Sequence, residues 1–203
     1  MRNIIYCLFA LIFLNNLGAT NIDESNFLDF LTDKEFLSAE FLQTTFKDGQ
    51  NRQIKGEIKA NRKGMFKVVY QEPLNEIISS DGIQLYRLDK EIEQLDVSQI
   101  DATLSESPIG IFSSKKEELE ELFEVTECTI SKQQVICTIE PKVEESFLKR
   151  VTLQLNDDEL RSLSYVDTFE QKVILDFTYI SWEEMPDSEF LLEIPEGIDV
   201  IKH

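Results

Sequence analysis

A chain of 203 residues with a formal net charge of −19 at pH 7 is long enough for one domain with a substantial core. That charge excludes a nucleic-acid binder, which needs a basic stripe, and argues against resting on an anionic bilayer. The single histidine is His203, the last residue, so no Ser–His or Cys–His pair has a base inside a packed site.

Residues 1–19 have the layout of a secretory signal peptide: Arg2, an apolar run from Ile4 to Leu14, and Leu17-Gly18-Ala19 as a small-residue cleavage site. The run falls short of the roughly 20 apolar residues that span a bilayer. The mature domain is therefore expected over 20–203. It keeps two cysteines, Cys128 and Cys137, and in an oxidising compartment two such thiols pair.

Asp23 to Asp33 places Phe27, Leu28, Phe30 and Leu31 at helical spacing behind early acidic residues, which predicts a short amphipathic helix. Ser38 to Lys47 reads as the first strand, with Asp48-Gly49-Gln50-Asn51 as a turn. From Ile54 to Ala60 apolar and polar residues alternate, and Phe66, Val68 and Tyr70 continue the pattern beyond Arg62-Lys63-Gly64. Turn signals at Glu72-Pro73-Leu74 and Ser80-Asp81-Gly82 extend this into a meander reaching Val97. The meander has one apolar face that needs cover.

Ser98 to Ser107 is polar and aperiodic, a loop. Pro108 then offers a helix start, and Ser113 is placed to cap a helix over Lys115 to Phe123. Glu117, Glu118, Glu120 and Glu121 on that helix read as a solvated face. Phe123 to Thr138 is a hairpin with Ser131–Gln134 at its tip. Pairing Ile130 with Val135 sets Cys128 opposite Cys137, near disulfide distance. Further strands are expected over 148–155, 160–166, 172–179 and 189–194, with no linker between them.

The sum is about eleven strands and two or three short helices in two places: mainly β, a strongly curved antiparallel sheet with helices on one side. A closed lipocalin-like barrel fits the same pattern. No Gly-rich phosphate loop or His/Cys metal spacing is present. The chain reads as a binding protein that uses no cofactor and is not an enzyme.

Several stretches, in order, resemble the outer-membrane lipoprotein carrier (LolA) family. They are Phe41-Leu42-Gln43, Arg62 with Phe66 beyond its turn, Pro73, the run IISSDGIQLYRLDKEIEQLDV over 77–97, Ser107-Pro108-Ile109, and Phe190 to Ile201. The resemblance implies a single unclosed antiparallel β-barrel covered by a helical lid, with a hydrophobic cavity for lipoprotein acyl chains. It implies that Phe66, Val68 and Tyr70 line the concave face and that Phe27, Phe30, Leu31, Ile109, Ile111 and Phe112 form the lid. Arg62 takes the place of a gating arginine that ties the lid shut. Lys63 stands where the family usually has proline, and Val68 where many members have tryptophan. The implied protein is a monomeric periplasmic chaperone that accepts lipoproteins from an inner-membrane ABC transporter and delivers them to an outer-membrane receptor. The alternative is a lipoprotein-sensing regulatory domain of the same half-barrel fold.

Overall fold

The computed structural model describes residues 22–100, 107–143 and 146–203. The expected signal peptide and most of the expected loop over 98–107 lie outside them. Ser98 and Gln99 belong to a strand instead. A short helix, α1 (Phe27–Thr32), precedes six strands: β1 (Phe36–Lys47), β2 (Gln50–Asn61), β3 (Met65–Tyr70), β4 (Glu76–Asp81), β5 (Gln84–Asp89) and β6 (Gln94–Gln99). Two helices follow, α2 (Gly110–Ser113) and α3 (Lys116–Leu122). Then come β7 (Phe123–Ser131), β8 (Gln134–Pro141), β9 (Leu148–Asn156), β10 (Glu159–Asp167), β11 (Lys172–Ser181) and β12 (Asp199–Lys202).

The twelve strands form one open sheet in the order β12-β6-β5-β4-β3-β2-β1-β11-β10-β9-β8-β7. All pairs are antiparallel except β12 with β6. Local chemistry explains the short connections. Asp48 and Gly49 both take positive φ, as do Asp157 and Asp158, the backbone that a two-residue hairpin turn requires. The alternation read from the sequence becomes alternation of burial. Ile54, Gly56, Ile58 and Ala60 are buried along β2, whereas Lys55 and Glu57 are exposed. The β1–β2 register runs without a break from Phe36–Asn61 to Lys47–Gln50.

The main core lies between the concave face and the three helices. It includes Phe27, Leu31, Leu37, Phe41, Phe66, Ile111, Phe112, Leu119, Phe123 and Phe177. A smaller cluster of Leu88, Leu95 and Val97 packs with Leu192 and Ile198. The residues after β11 therefore supply cover for a second apolar surface.

Three expectations are corrected. Residues 189–194 do not form a strand. Asp187–Glu189 is a 3₁₀ turn, and the last strand falls later, at Asp199–Lys202, parallel to β6. Pro186 and Pro195 lack the N–H that a sheet ladder needs, and Phe190, fully buried, anchors the segment by its side chain instead. Lys67 Nζ, on the opposite parity from Phe66 and Val68, donates to the Leu191 carbonyl at 2.9 Å. Next, Ser113 does not cap the longer helix. It ends α2, where its Oγ donates to the Ile109 carbonyl, while the Lys115 N–H at the start of α3 donates to Glu118. Finally, the turn expected over 48–51 is confined to Asp48 and Gly49, whose positive φ completes it, and Gln50 and Asn51 already pair with Lys47 and Phe46 as part of β2.

At the β7 edge, Cys128 lies opposite Cys137 and the two are disulfide-bonded with their Cα atoms 4.2 Å apart. The Cys128 N–H points away from β8 and donates to Glu24 Oε1 at 2.8 Å. One outward-facing ladder donor of this edge is thus occupied by a carboxylate from the chain's own N-terminal segment.

Candidate functional site

The site begins with a turn. Asn61, the last residue of β2, accepts the N–H groups of Lys63 at 3.0 Å and Met65 at 3.2 Å through Oδ1. Its Nδ2 is buried with no partner among the described residues. Gly64 beyond it takes a φ of +82°, which a side chain would disfavour. This tight turn lifts Arg62 off the end of the sheet and aims it at the helices.

Arg62 is only 6% exposed. Its Nε donates to the Lys34 carbonyl at 3.1 Å. Nη1 donates to Ile111 at 2.6 Å and Ser114 at 3.1 Å, and Nη2 to Leu31 at 2.8 Å. All four acceptors are main-chain carbonyls in or just beyond α1 and α2. Helices this short leave most of their carbonyls without intrahelical partners, and these carry partial negative charge. Neither helix has a basic residue in its last turn. One guanidinium, with five donors in a fixed fork, serves both ends together. Burial lowers its pKa to about 10, with nearby Glu35 acting in the opposite direction. A second link joins the same elements, Gly64 N–H to the Ser113 carbonyl at 3.1 Å. Lys116 of α3 pairs with Asp29 of α1, tying the helices to each other.

Beneath the helices is a cavity of about 60 Å³ lined by Phe41, Ile58, Val68, Tyr70, Pro108, Ile109, Phe112, Leu175 and Phe177. Its wall is almost wholly apolar. Phe112 of α2 meets Phe177 of β11 edge to face, with ring centres 5.9 Å apart. Phe41 meets Tyr70 in the same way at 5.6 Å. The Phe41 ring reaches across Gly56, where a Cβ would stand 2.4 Å from its Cζ and 2.6 Å from the Val69 carbonyl. Only glycine fits there. The space is far smaller than the roughly 300 Å³ at which small-ligand pockets begin, because the lid's own side chains fill the trough.

The expected site residues divide in two. Val68, Tyr70, Ile109 and Phe112 line the cavity. Phe27, Phe30, Leu31, Phe66 and Ile111 belong to or pack against the surrounding core and do not reach it. Reading along the sequence did not place Ile58, Leu175 and Phe177 at the cavity. Their alternation was visible, but the β1–β11 register that sets Phe177 beside Phe41 joins segments far apart in the chain. Asn61 and Gly56 were also missed as site-shaping residues. Among the described residues, no group of His, Cys, Asp or Glu could hold a metal ion, and no helix is long and apolar enough to cross a membrane.

The family model for the outer membrane lipoprotein carrier protein LolA matches residues 33–193. An outer-membrane lipoprotein carrier protein of Hahella chejuensis is 31% identical over 85% of this chain and 84% of its own. One of Pseudomonas fluorescens is 26% identical over 89% and 88%. Among solved structures, a conserved protein of Thermus thermophilus superposes with a TM-score of 0.56 at 8% identity, over 88% of this chain and 98% of its own. A LolA superfamily protein of Nitrosomonas europaea gives 0.50 at 9%, over 84% and 98%. The half-barrel with its helical roof, the order of motifs and the extent of these matches lead to one conclusion: the chain belongs to the outer membrane lipoprotein carrier protein LolA family.

Proposed function

We propose that the protein is a periplasmic chaperone that carries acylated lipoproteins. It takes them from an inner-membrane ABC transporter, shelters their acyl chains under the lid, and releases them to an outer-membrane receptor. It works as a monomer without a cofactor and performs no catalysis. Arg62 is the gate: it holds the lid closed while the carrier is empty and lets go when cargo enters. The observation that carries this reading is an apolar trough roofed by helices whose carbonyls share one buried arginine. The relatives' names as lipoprotein carriers support it.

The physics of the cargo agrees. Each buried CH₂ contributes about 0.8 kcal/mol, so exposing one sixteen-carbon chain to water costs on the order of 10 kcal/mol. Such a molecule needs cover to cross an aqueous compartment. Apolar contact without fixed direction suits cargo that shares only its lipid.

The test is site-specific photo-crosslinking with a purified lipoprotein. A crosslinker at Val68 captures the acyl chains, whereas one at Lys67, on the other face, does not. Equal capture at both positions overturns the face assignment. Capture at neither overturns the carrier function.

A further inference from the structure

We propose that Tyr70 and Tyr165 form a polar subsite at one end of the trough. There their phenol O–H groups donate to the ester or amide carbonyls that join acyl chains to a lipid head. This inference rests on the carrier reading and adds what the trough recognises besides hydrocarbon.

The placement follows from the register. Gln43 and Thr45 share a face with Phe41 on β1, because side chains two apart point the same way. Gln43 Nε2 donates to Thr45 Oγ1 at 3.3 Å. Thr45 pairs with Val173, and Val173 with Tyr165, so Tyr165 stands in the same row. Phe41 pairs with Gly56, and Gly56 with Tyr70, so Tyr70 continues the same face toward β3. The apolar concave surface therefore gives way, at the end away from the Arg62 turn, to a band of amide and hydroxyl groups. Glu76, beside Tyr70 in the β3–β4 ladder, has its carboxylate taken by Arg87.

The curvature turns the two tyrosines onto one core. In a flat sheet β3 and β10 would lie about 19 Å apart, four strand spacings. In the half-barrel both rings pack against the one main core, where burial first, and Tyr70 second, raise the Tyr165 pKa. Burial also raises the Tyr70 phenol, to about 12, so both stay protonated and able to donate at any physiological pH. Among the described residues, neither hydroxyl hydrogen-bonds to another group. A half-buried phenol at the margin of an apolar trough, donating to no other group among the described residues, is free to donate to whatever occupies the trough. Acyl chains lying along the apolar part put their carbonyls at this band.

Tyr70→Phe and Tyr165→Phe, combined, remove two oxygens and keep both rings. Three probes separate the contributions: a hydrocarbon dye, a synthetic triacylated lipopeptide, and dioctanoylglycerol. The double variant lowers the ratio of lipopeptide to dye affinity about tenfold, the size expected for two modest hydrogen bonds. The infrared ester band of carbonyl-labelled lipopeptide, shifted down on binding to the native protein, returns toward its free position in the variant. An unchanged ratio or an unshifted band overturns the subsite. Dioctanoylglycerol tells whether glycerol esters alone suffice: a ratio that falls for it as well assigns the tyrosines to the ester groups. Native protein that takes the dye but refuses the lipopeptide overturns the carrier reading instead, and the dioctanoylglycerol ratio then still decides the role of the tyrosines.

Discussion

At Arg62, one side chain makes charge-assisted bonds to four carbonyls of the two helices and their ends, and under the proposed gating these bonds hold the lid closed. Such bonds contribute roughly 1.5–3 kcal/mol each when measured singly, and part of that offsets the desolvation of the cation. Arg62→Leu removes every donor. It shifts the population toward the open lid and should make the carrier retain cargo, since closure no longer competes with binding. In a transfer assay with purified donor, carrier and receptor, the variant accumulates as carrier–lipoprotein complex. Arg62→Lys falls between, because an ammonium keeps the charge without the planar fork. Transfer at the native rate by Arg62→Leu would mean that the arginine only seals a turn. Gly56 makes a different prediction. A methyl group there meets both the Phe41 ring and a backbone carbonyl. Gly56→Ala should cost about 1–3 kcal/mol of stability in urea titration, the usual range for overpacking, and should displace Phe41 from the cavity wall.

Among the elements, the β7–β8 hairpin and the segment after β11 differ in what holds them. The hairpin is closed by a disulfide across a sequence separation of 9 residues, a small loop whose constraint is worth about 2–3 kcal/mol. Reduction should lower the unfolding free energy by that amount, and intact mass should rise by two hydrogens. The later segment is held by Phe190, the Lys67 bond to Leu191 and an ion pair from Lys59 to Glu189. Phe190→Ala should cost about 3–5 kcal/mol, with faster amide exchange at β12 and its neighbour β6. How much of this was legible depended on distance along the chain. The β1–β2 turn was located but taken two residues too long, which shifts its register. The β7–β8 hairpin could be read down to its register, because its turn signal fixes which residues face each other. The β12 pairing could not, because a parallel partner about a hundred residues away leaves no local mark, and Leu192 and Ile194 imitate a strand on period alone. The site divides in the same way. Val68 and Tyr70 followed from alternation, and Arg62 from a recognisable motif. Phe177, Gly56 and the row of Tyr165 became visible only once curvature brought distant strands together.

For the whole molecule, the nearly full trough has a consequence for affinity. In the closed form α2 is the trough's first ligand: Phe112 already occupies the place against Phe177 that an incoming chain would take. On the proposed carrier reading, cargo meets a tethered competitor, and its apparent dissociation constant is the intrinsic one divided by the fraction of molecules with the lid withdrawn. The strength of that competitor is written in the lid sequence. Trimming it by Phe112→Ala should speed uptake of a hydrocarbon dye in stopped-flow mixing, and an unaltered rate would place the limiting step elsewhere. If the proposed function holds, a carrier built this way needs no energy source of its own to unload. The displaced helix returns to its seat as the cargo leaves, so the stability regained on closing helps expel each chain that the trough has held.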